Sequence, residues 1–159
     1  MKRLALIVSL LATLANAKKP APLPDFALID ADGKSVSSSK LHLPSHWLLI
    51  YVHANNGNSA VVLNALKDEP PSALNGKILV IVGGATAADI APLAKRYPHL
   101  QSVSWYADPK RTALAAMHLT GSPTVLGVKQ DTVQWTLTGS LPDHARLTSI
   151  LKSWKNKSN

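Results

Sequence analysis

The chain contains no cysteine at all in 159 residues. That absence excludes a disulfide, a thiolate nucleophile, a thiolate-held iron–sulfur cluster and a Cys-ligated zinc. It also excludes a lipid anchor attached at an N-terminal cysteine. Charge is sparse, at 16% of residues, and only 9 residues are acidic against 17 basic. With 46% hydrophobic residues, the chain is not a disordered polyelectrolyte. No apolar run reaches the roughly 20 residues that a membrane-crossing helix needs. There is no internal repeat and no low-complexity tract. A basic–aromatic platform of the kind that binds single-stranded nucleic acid is missing. So is a G-x-S-x-G nucleophile elbow, since Gly121-Ser122-Pro123 does not make one.

What is present starts with an address. Met1-Lys2-Arg3 is a short basic start, Leu4 to Leu14 is an almost unbroken apolar run, and Ala15-Asn16-Ala17 supplies small residues at −3 and −1. This is the three-part pattern of a secretory signal peptide over residues 1–17, the competing reading being an uncleaved anchor. Cleavage after Ala17 implies a periplasmic or secreted protein, in a compartment where disulfides are permitted. The mature chain keeps 15 basic residues against 9 acidic, a formal charge of about +6. A basic exported protein meets anionic lipids, cell-wall polymers or acidic proteins rather than chromosomal DNA. The basic residues are scattered, so a solvated surface is the first reading of that charge. Expected partners are envelope proteins or peptides, without nucleic acid and without stable membrane insertion after cleavage.

Residues 18–24 carry three prolines and read as an extended leader without a core-forming pattern. Residues 25–155 then read as one domain, and 156–159 as a tail. Phe26 and Leu28, the Asp32-Gly33 turn and Val36 predict a small hairpin. Trp47 to Val52 and Lys77 to Val82 are continuous apolar runs, as strands buried on both faces show. Ser59 is placed as the N-cap of a short helix from Ala60 to Lys67, stopped by Glu69-Pro70-Pro71. Thr86 to Asp89 opens a second helix carrying Ile90, Leu93, Ala94 and Tyr97 on one face, with Pro92 early in it. Val103 to Tyr106 is a short strand. Asp108 caps and Pro109 begins a helix that runs through Met117. Thr124–Val128 and Val133–Leu137 form an antiparallel hairpin. Ser140 to Trp154 closes the chain as an amphipathic helix, with Leu147, Ile150, Leu151 and Trp154 on one face. This order implies an α/β domain: a central mixed sheet flanked by helices on both sides, with an N-terminal hairpin extension.

Three local segments resemble a known family. Pro24-Asp25-Phe26-Ala27-Leu28-Ile29-Asp30-Ala31-Asp32-Gly33-Lys34 resembles the P-x-F-x-L-x-D-x-x-G-K opening of exported thioredoxin-like redoxins of the alkyl hydroperoxide reductase and TlpA or ResA type. Tyr106-Ala107-Asp108-Pro109, then Thr120-Gly121-Ser122-Pro123-Thr124, resembles the stretch leading into that family's cis-proline loop. Gly139 and the terminal helix follow in the family's order. The resemblance spans roughly residues 22–155 and implies a thioredoxin-like fold.

It departs at the place where the family does its chemistry. A W-C-x-x-C motif would follow the strand Trp47–Val52, and the same register here gives His53-Ala54-Asn55-Asn56-Gly57-Asn58-Ser59-Ala60. In that register Gly57 and Ala60 stand at the two thiol positions, and a one-residue slip changes the names without supplying a cysteine. Thiol–disulfide exchange needs an attacking thiolate, so this chain alone cannot perform it. Thiol peroxidase chemistry is excluded for the same reason.

Asn56, Gly57, Asn58, Ser59 and Ala60 therefore form a vestigial active-site turn with no catalytic residue. A helix start there can hold an anion, or it can be a cap and nothing more. The resemblance implies that Gly121, Ser122, Pro123 and Thr124 form a loop able to pair with an extended peptide; on the plainer alternative Pro123 only shapes the chain. His53 is the histidine nearest the turn and the one candidate ligand. Pro44 keeps His42 and His46 from stacking as a metal pair on a helix. His99, His118 and His144 read as surface. A Ser/His/Asp arrangement would have to be built from Ser59, His53 and Asp25. No cofactor and no metal site is expected. The function these features suggest is a redox-inactive exported protein that binds protein segments as an envelope accessory or scaffold. The alternative is a non-thiol enzyme, or an anion or metal carrier, using the turn near His53.

Overall fold

The computed structural model describes residues 19–41, 43–139 and 141–157. The expected signal peptide, His42, Ser140 and the last two residues of the tail lie outside the described residues. At the centre of the sheet the expected run forms β4 (His46–His53), parallel to β5 (Ile78–Gly83) on one side and antiparallel to β7 (Thr124–Lys129) on the other. β6 (Ser104–Asp108) adds in parallel to β5. The hairpin β2 (Ala27–Ile29) and β3 (Ser35–Ser37) joins the far side of β6 through β2. β8 (Thr132–Thr138) pairs with β7, and β1 (Ala21–Pro22) borders it. The eight strands lie in the order β1-β8-β7-β4-β5-β6-β2-β3, a mixed sheet.

Strand periodicity explains why the central runs are apolar at every position. Alternate residues point to opposite faces. Leu48, Ile50, Val52, Ile78, Val80 and Val82 form one core with α1 (Gly57–Leu63), α2 (Pro71–Leu74), α3 (Ala87–Lys95) and α5 (His144–Lys155). Trp47, Leu49, Tyr51, Leu79 and Ile81 form a second core on the other face, with Phe26, Leu28, Ala113 of α4 (Thr112–Ala116) and Met117. Covering both faces with side chains is what keeps the central parallel strands dry.

Several local expectations are corrected by the competition between caps. α1 begins at Gly57, not Ala60, because Asn56 offers the same capping chemistry three residues before Ser59. Pro71 does not merely stop that helix: with its fixed φ it opens the one-turn α2. Pro92 sits inside α3 without displacing its start at Ala87 behind the Thr86 cap, and Tyr97 lies beyond the helix end. α4 starts three residues after Pro109, because Arg111 adopts a left-handed conformation (φ 56°) just before it. α5 starts at His144, not Ser140, with Pro142 ahead of it and the Asp143 carboxylate accepting from the Arg146 N–H at 3.0 Å. Ile150 is only half-buried, while Lys155, on the next turn, is buried. The proline-rich leader is also more engaged than expected: it supplies β1, and Leu23 packs against the second core and donates its N–H to Asp131 O at 2.7 Å.

β7 and β8 meet at a register shift next to Gly127, opposite Trp135. A Cβ at Gly127 would overlap the indole of Trp135. The same indole packs edge-on against Trp154 of α5, with ring centroids 5.5 Å apart. Gly127→Ala is therefore expected to destabilise the fold by about 2 kcal/mol through overpacking, read as a lower urea midpoint with an unchanged slope.

Candidate functional site

The β4–α1 turn is built by two polar side chains. Asn56 lies in an extended conformation, and its Oδ1 accepts the Asn58 N–H at 2.9 Å, capping α1. Its Nδ2 donates to the Ser122 carbonyl at 2.9 Å. One asparagine thus ties the β4–α1 turn to the loop before Pro123. Ser59, expected as the cap, is buried within α1, and its hydroxyl donates to the His53 carbonyl at 3.0 Å, closing the turn from inside. Gly57 is exposed, and a Cβ there would meet nothing within 4 Å. Ala60, one helical turn on, is half-buried. The Gly57 position therefore faces open space.

The opposing loop is held by Thr124. Its hydroxyl donates to the Gly121 carbonyl at 2.7 Å and lies 2.7 Å from the Thr138 hydroxyl. The Ser122–Pro123 peptide bond is cis. With Ser122 O already engaged by Asn56, the backbone of Ser122 is only half available. Its N–H has no partner among the described residues, and its hydroxyl oxygen is buried and also unpartnered.

His53 ends β4. Its Nδ1 lies 2.8 Å from the Gly83 carbonyl, which only accepts, so Nδ1 carries a proton. Gly83 is glycine for a reason of space, since a Cβ there would overlap the Tyr51 hydroxyl and crowd the His53 ring. Tyr51 in turn donates to Asp108 Oδ2 at 3.0 Å. Burial, then the Asp108 charge, pushes the Tyr51 phenol well above its ordinary value, which keeps it a donor.

The turn, His53 and the glycine pair border a cleft of about 800 Å³ between the start of α1 and one face of α3. Arg96, at the end of α3, and Arg111 complete its wall. Sequence reasoning missed both arginines. The one signal for the cleft was Gly83-Gly84 directly after a buried strand, a sign of close approach or a bend.

Other sequence expectations are not brought together. The Asp25 carboxylate accepts from the Ser37 and Ser38 hydroxyls and the Ser39 N–H in the N-terminal hairpin. Ser59 meets the backbone of His53 and not its ring, so no Ser/His/Asp relay forms. His46 is buried, edge-on to Trp154 at 5.1 Å, and burial followed by Lys129 and Lys157 holds its pKa below the ordinary value. His99, expected on the surface, is half-buried with Nε2 2.7 Å from the Leu63 carbonyl. Among the described residues no three His, Cys, Asp or Glu side chains cluster as metal ligands. Nor is any helix among them long and apolar enough to cross a membrane.

No protein-family model matches the sequence. No curated protein matches it either. Solved structures do match it in shape. A secreted Mycobacterium tuberculosis disulfide oxidoreductase homologous to E. coli DsbE is 11% identical over 80% of this chain and 95% of its own, with a TM-score of 0.63. A candidate DsbE-type thiol:disulfide interchange protein from Chlorobium tepidum is 20% identical over 89% and 100%, also at 0.63. A peroxiredoxin-like protein from Aquifex aeolicus is 11% identical over 86% and 87%, at 0.62. At these identities the likeness concerns the fold: the chain has a thioredoxin-like fold, and it carries no cysteine with which to perform the thiol chemistry named for those proteins.

Proposed function

We propose that this is a redox-inactive, exported thioredoxin-like protein that binds extended protein segments as an envelope accessory or scaffold. The observation that carries the reading is the Asn56 bridge, which links the cap of α1 to Ser122 O across the place where the thiols are missing. A site that had simply decayed would have no need to hold its two halves in register. The loop retains at Ser122 a backbone N–H without a partner among the described residues, and a rigid support in Thr124. An extended peptide can add to such an edge by main-chain pairing. Export is supported by the basic, apolar and small-residue pattern of residues 1–17.

The test is a screen of immobilised extended peptides against the mature protein, Asn56→Ala and Ser122→Pro. Asn56→Ala frees the loop from the turn, and Ser122→Pro removes the pairing N–H. The Ser122 N–H bond to the peptide is worth about 1 kcal/mol, so Ser122→Pro should weaken binding about fivefold, and Asn56→Ala should weaken it through loss of the loop's fixed position. Circular dichroism and a thermal melt confirm that each variant is folded. Binding that is indifferent to both changes in folded protein sinks the reading.

A further inference from the structure

The cleft beside the turn has a chemistry of its own. Asp89, Pro92, Leu93 and Arg96 line it from α3 at positions i, i+3, i+4 and i+7, so they share one face along about 10 Å of helix. Two guanidiniums reach this wall. Among the described residues the only ion pairs are those of Glu69 with Lys152 and Lys155, so neither Arg96 nor Arg111 has a carboxylate partner. Asp89, the cleft's own carboxylate, accepts the Thr86 N–H and hydroxyl on Oδ2, each at 2.8 Å, and its single charge leaves the cleft with two guanidiniums against one anion.

Arg111 is placed with unusual care for an exposed residue. Its backbone is left-handed, a conformation better suited to glycine or asparagine. It is fixed there by its N–H to Asp108 O at 3.1 Å and by the Ala115 N–H to its own carbonyl at 3.1 Å. Its guanidinium lies over Gly84, with Nε and Nη2 each 3.7 Å from where a Cβ would stand. The side chain is thus laid over the cleft floor. His53 borders the same cleft, with Nδ1 committed to Gly83 O and Nε2 without a protein partner among the described residues.

We infer that the cleft receives a carboxylate, and that the extended segment bound at the Ser122 loop is an acidic peptide. The inference rests on the peptide-binding reading for the geometry that joins the two sites. Asn56 borders the cleft and bonds Ser122 O, so the cleft and the loop share one residue. An extended chain advances about 3.3 Å per residue, and with Asn56 shared between the two sites a segment paired at the loop continues towards the cleft. There a Glu or Asp carboxylate meets planar guanidinium forks, the geometry in which arginine binds carboxylates best.

The experiment measures fluorescence anisotropy of a fluorescein-labelled peptide carrying Glu, and of its Gln isostere, on the mature protein, Arg96→Gln and Arg111→Asn. Asparagine tolerates the left-handed backbone, so Arg111→Asn removes the charge without new strain. The Glu peptide should bind about tenfold more tightly than the Gln peptide, and either arginine variant should remove most of that preference. Affinity for the Gln peptide should not change, and raising salt should narrow the gap. Equal binding of the two peptides, still sensitive to Ser122→Pro, overturns the carboxylate site and leaves the peptide groove standing. A Glu preference that follows the arginines but ignores Ser122→Pro upholds the cleft and removes the groove. Saturation by inorganic phosphate that leaves peptide binding untouched overturns the acidic-peptide assignment.

Discussion

Asp108→Ala is expected to lower stability by about 4 kcal/mol, because it removes one buried carboxylate that satisfies five donors. Oδ1 accepts the Thr112 N–H at 2.8 Å and the Thr112 hydroxyl at 3.1 Å. Oδ2 accepts the Tyr51 hydroxyl at 3.0 Å and the N–H groups of Ala113 and Leu114 at 3.1 and 3.3 Å. The first N–H groups of a helix have no partners within it, and here a single side chain takes those of α4. Its negative charge also meets the positive end of that short helix. Alanine would leave a tyrosine hydroxyl and three amides unpaired next to the sheet. Each buried orphan costs about 1–3 kcal/mol, and local water entry recovers part of the total. Since whole domains are stable by about 5–15 kcal/mol, the loss is a large fraction of what holds the fold. Asp108→Asn should be nearly as damaging, because its amide nitrogen points hydrogens at hydrogens. Adding Tyr51→Phe to Asp108→Ala should recover about 1 kcal/mol, since one orphan disappears. Urea unfolding followed by tryptophan fluorescence reads all three. A loss under 1 kcal/mol for Asp108→Ala would mean that α4 is held by packing alone.

Asp108 also marks how far the sequence was legible. Its capping role was visible in Asp108-Pro109, yet the helix it caps begins at Thr112, because the carboxylate reaches over a left-handed Arg111. No local pattern announces such a conformation in an arginine. The strands were easier, because residues buried on both faces must all be apolar, and WLLIYV and KILVIV have no other good use in a domain this size. The closing hairpin and α3 followed from similar periodicity. The site was half legible. The absence of cysteine excluded thiol chemistry outright, but the turn expected over Asn56 to Ala60 is shorter than that, because Gly57 to Ala60 already belong to α1. Its bridge to Ser122 joins residues 66 apart in the chain, and single-sequence patterns carry no signal for such a pair. The cleft was missed for the same reason: Arg96 and Arg111 belong to different elements, and only the packing of α3 against β6 brings them to one wall.

Glu69→Gln is expected to cost about 3 kcal/mol, and the reason is the lysine it abandons. Glu69 Oε1 lies 2.9 Å from Lys152 Nζ and Oε2 lies 2.7 Å from Lys155 Nζ, so one carboxylate ties the turn after α1 to the last turn of α5. The Lys152 side chain is 36% exposed and can return to water. Lys155 is 2% exposed and cannot. Breaking a buried pair from one side typically costs about 3–5 kcal/mol. The lower end applies because Lys155 Nζ keeps Asn156 Oδ1 at 2.8 Å and Glu69 is itself 16% exposed. Lys155→Met should cost less than 1 kcal/mol, since it removes the buried charge, fills the same volume and leaves Glu69 paired with Lys152. Hydrogen bonds from Lys155, then Lys152, hold the Glu69 carboxyl below its ordinary value of 4.5. A carboxyl whose pKa is depressed in the folded state contributes stability that is complete above the unfolded value and disappears as pH falls through the folded one. The wild-type protein should therefore lose stability on acidification below about pH 4.5, and Glu69→Gln should lose less over the same range. Thermal melts from pH 3 to pH 7 compare the two slopes. Parallel slopes, or a Lys155→Met cost equal to that of Glu69→Gln, would show that the pair acts as a surface contact and that α5 is held by Leu147, Leu151 and Trp154 alone.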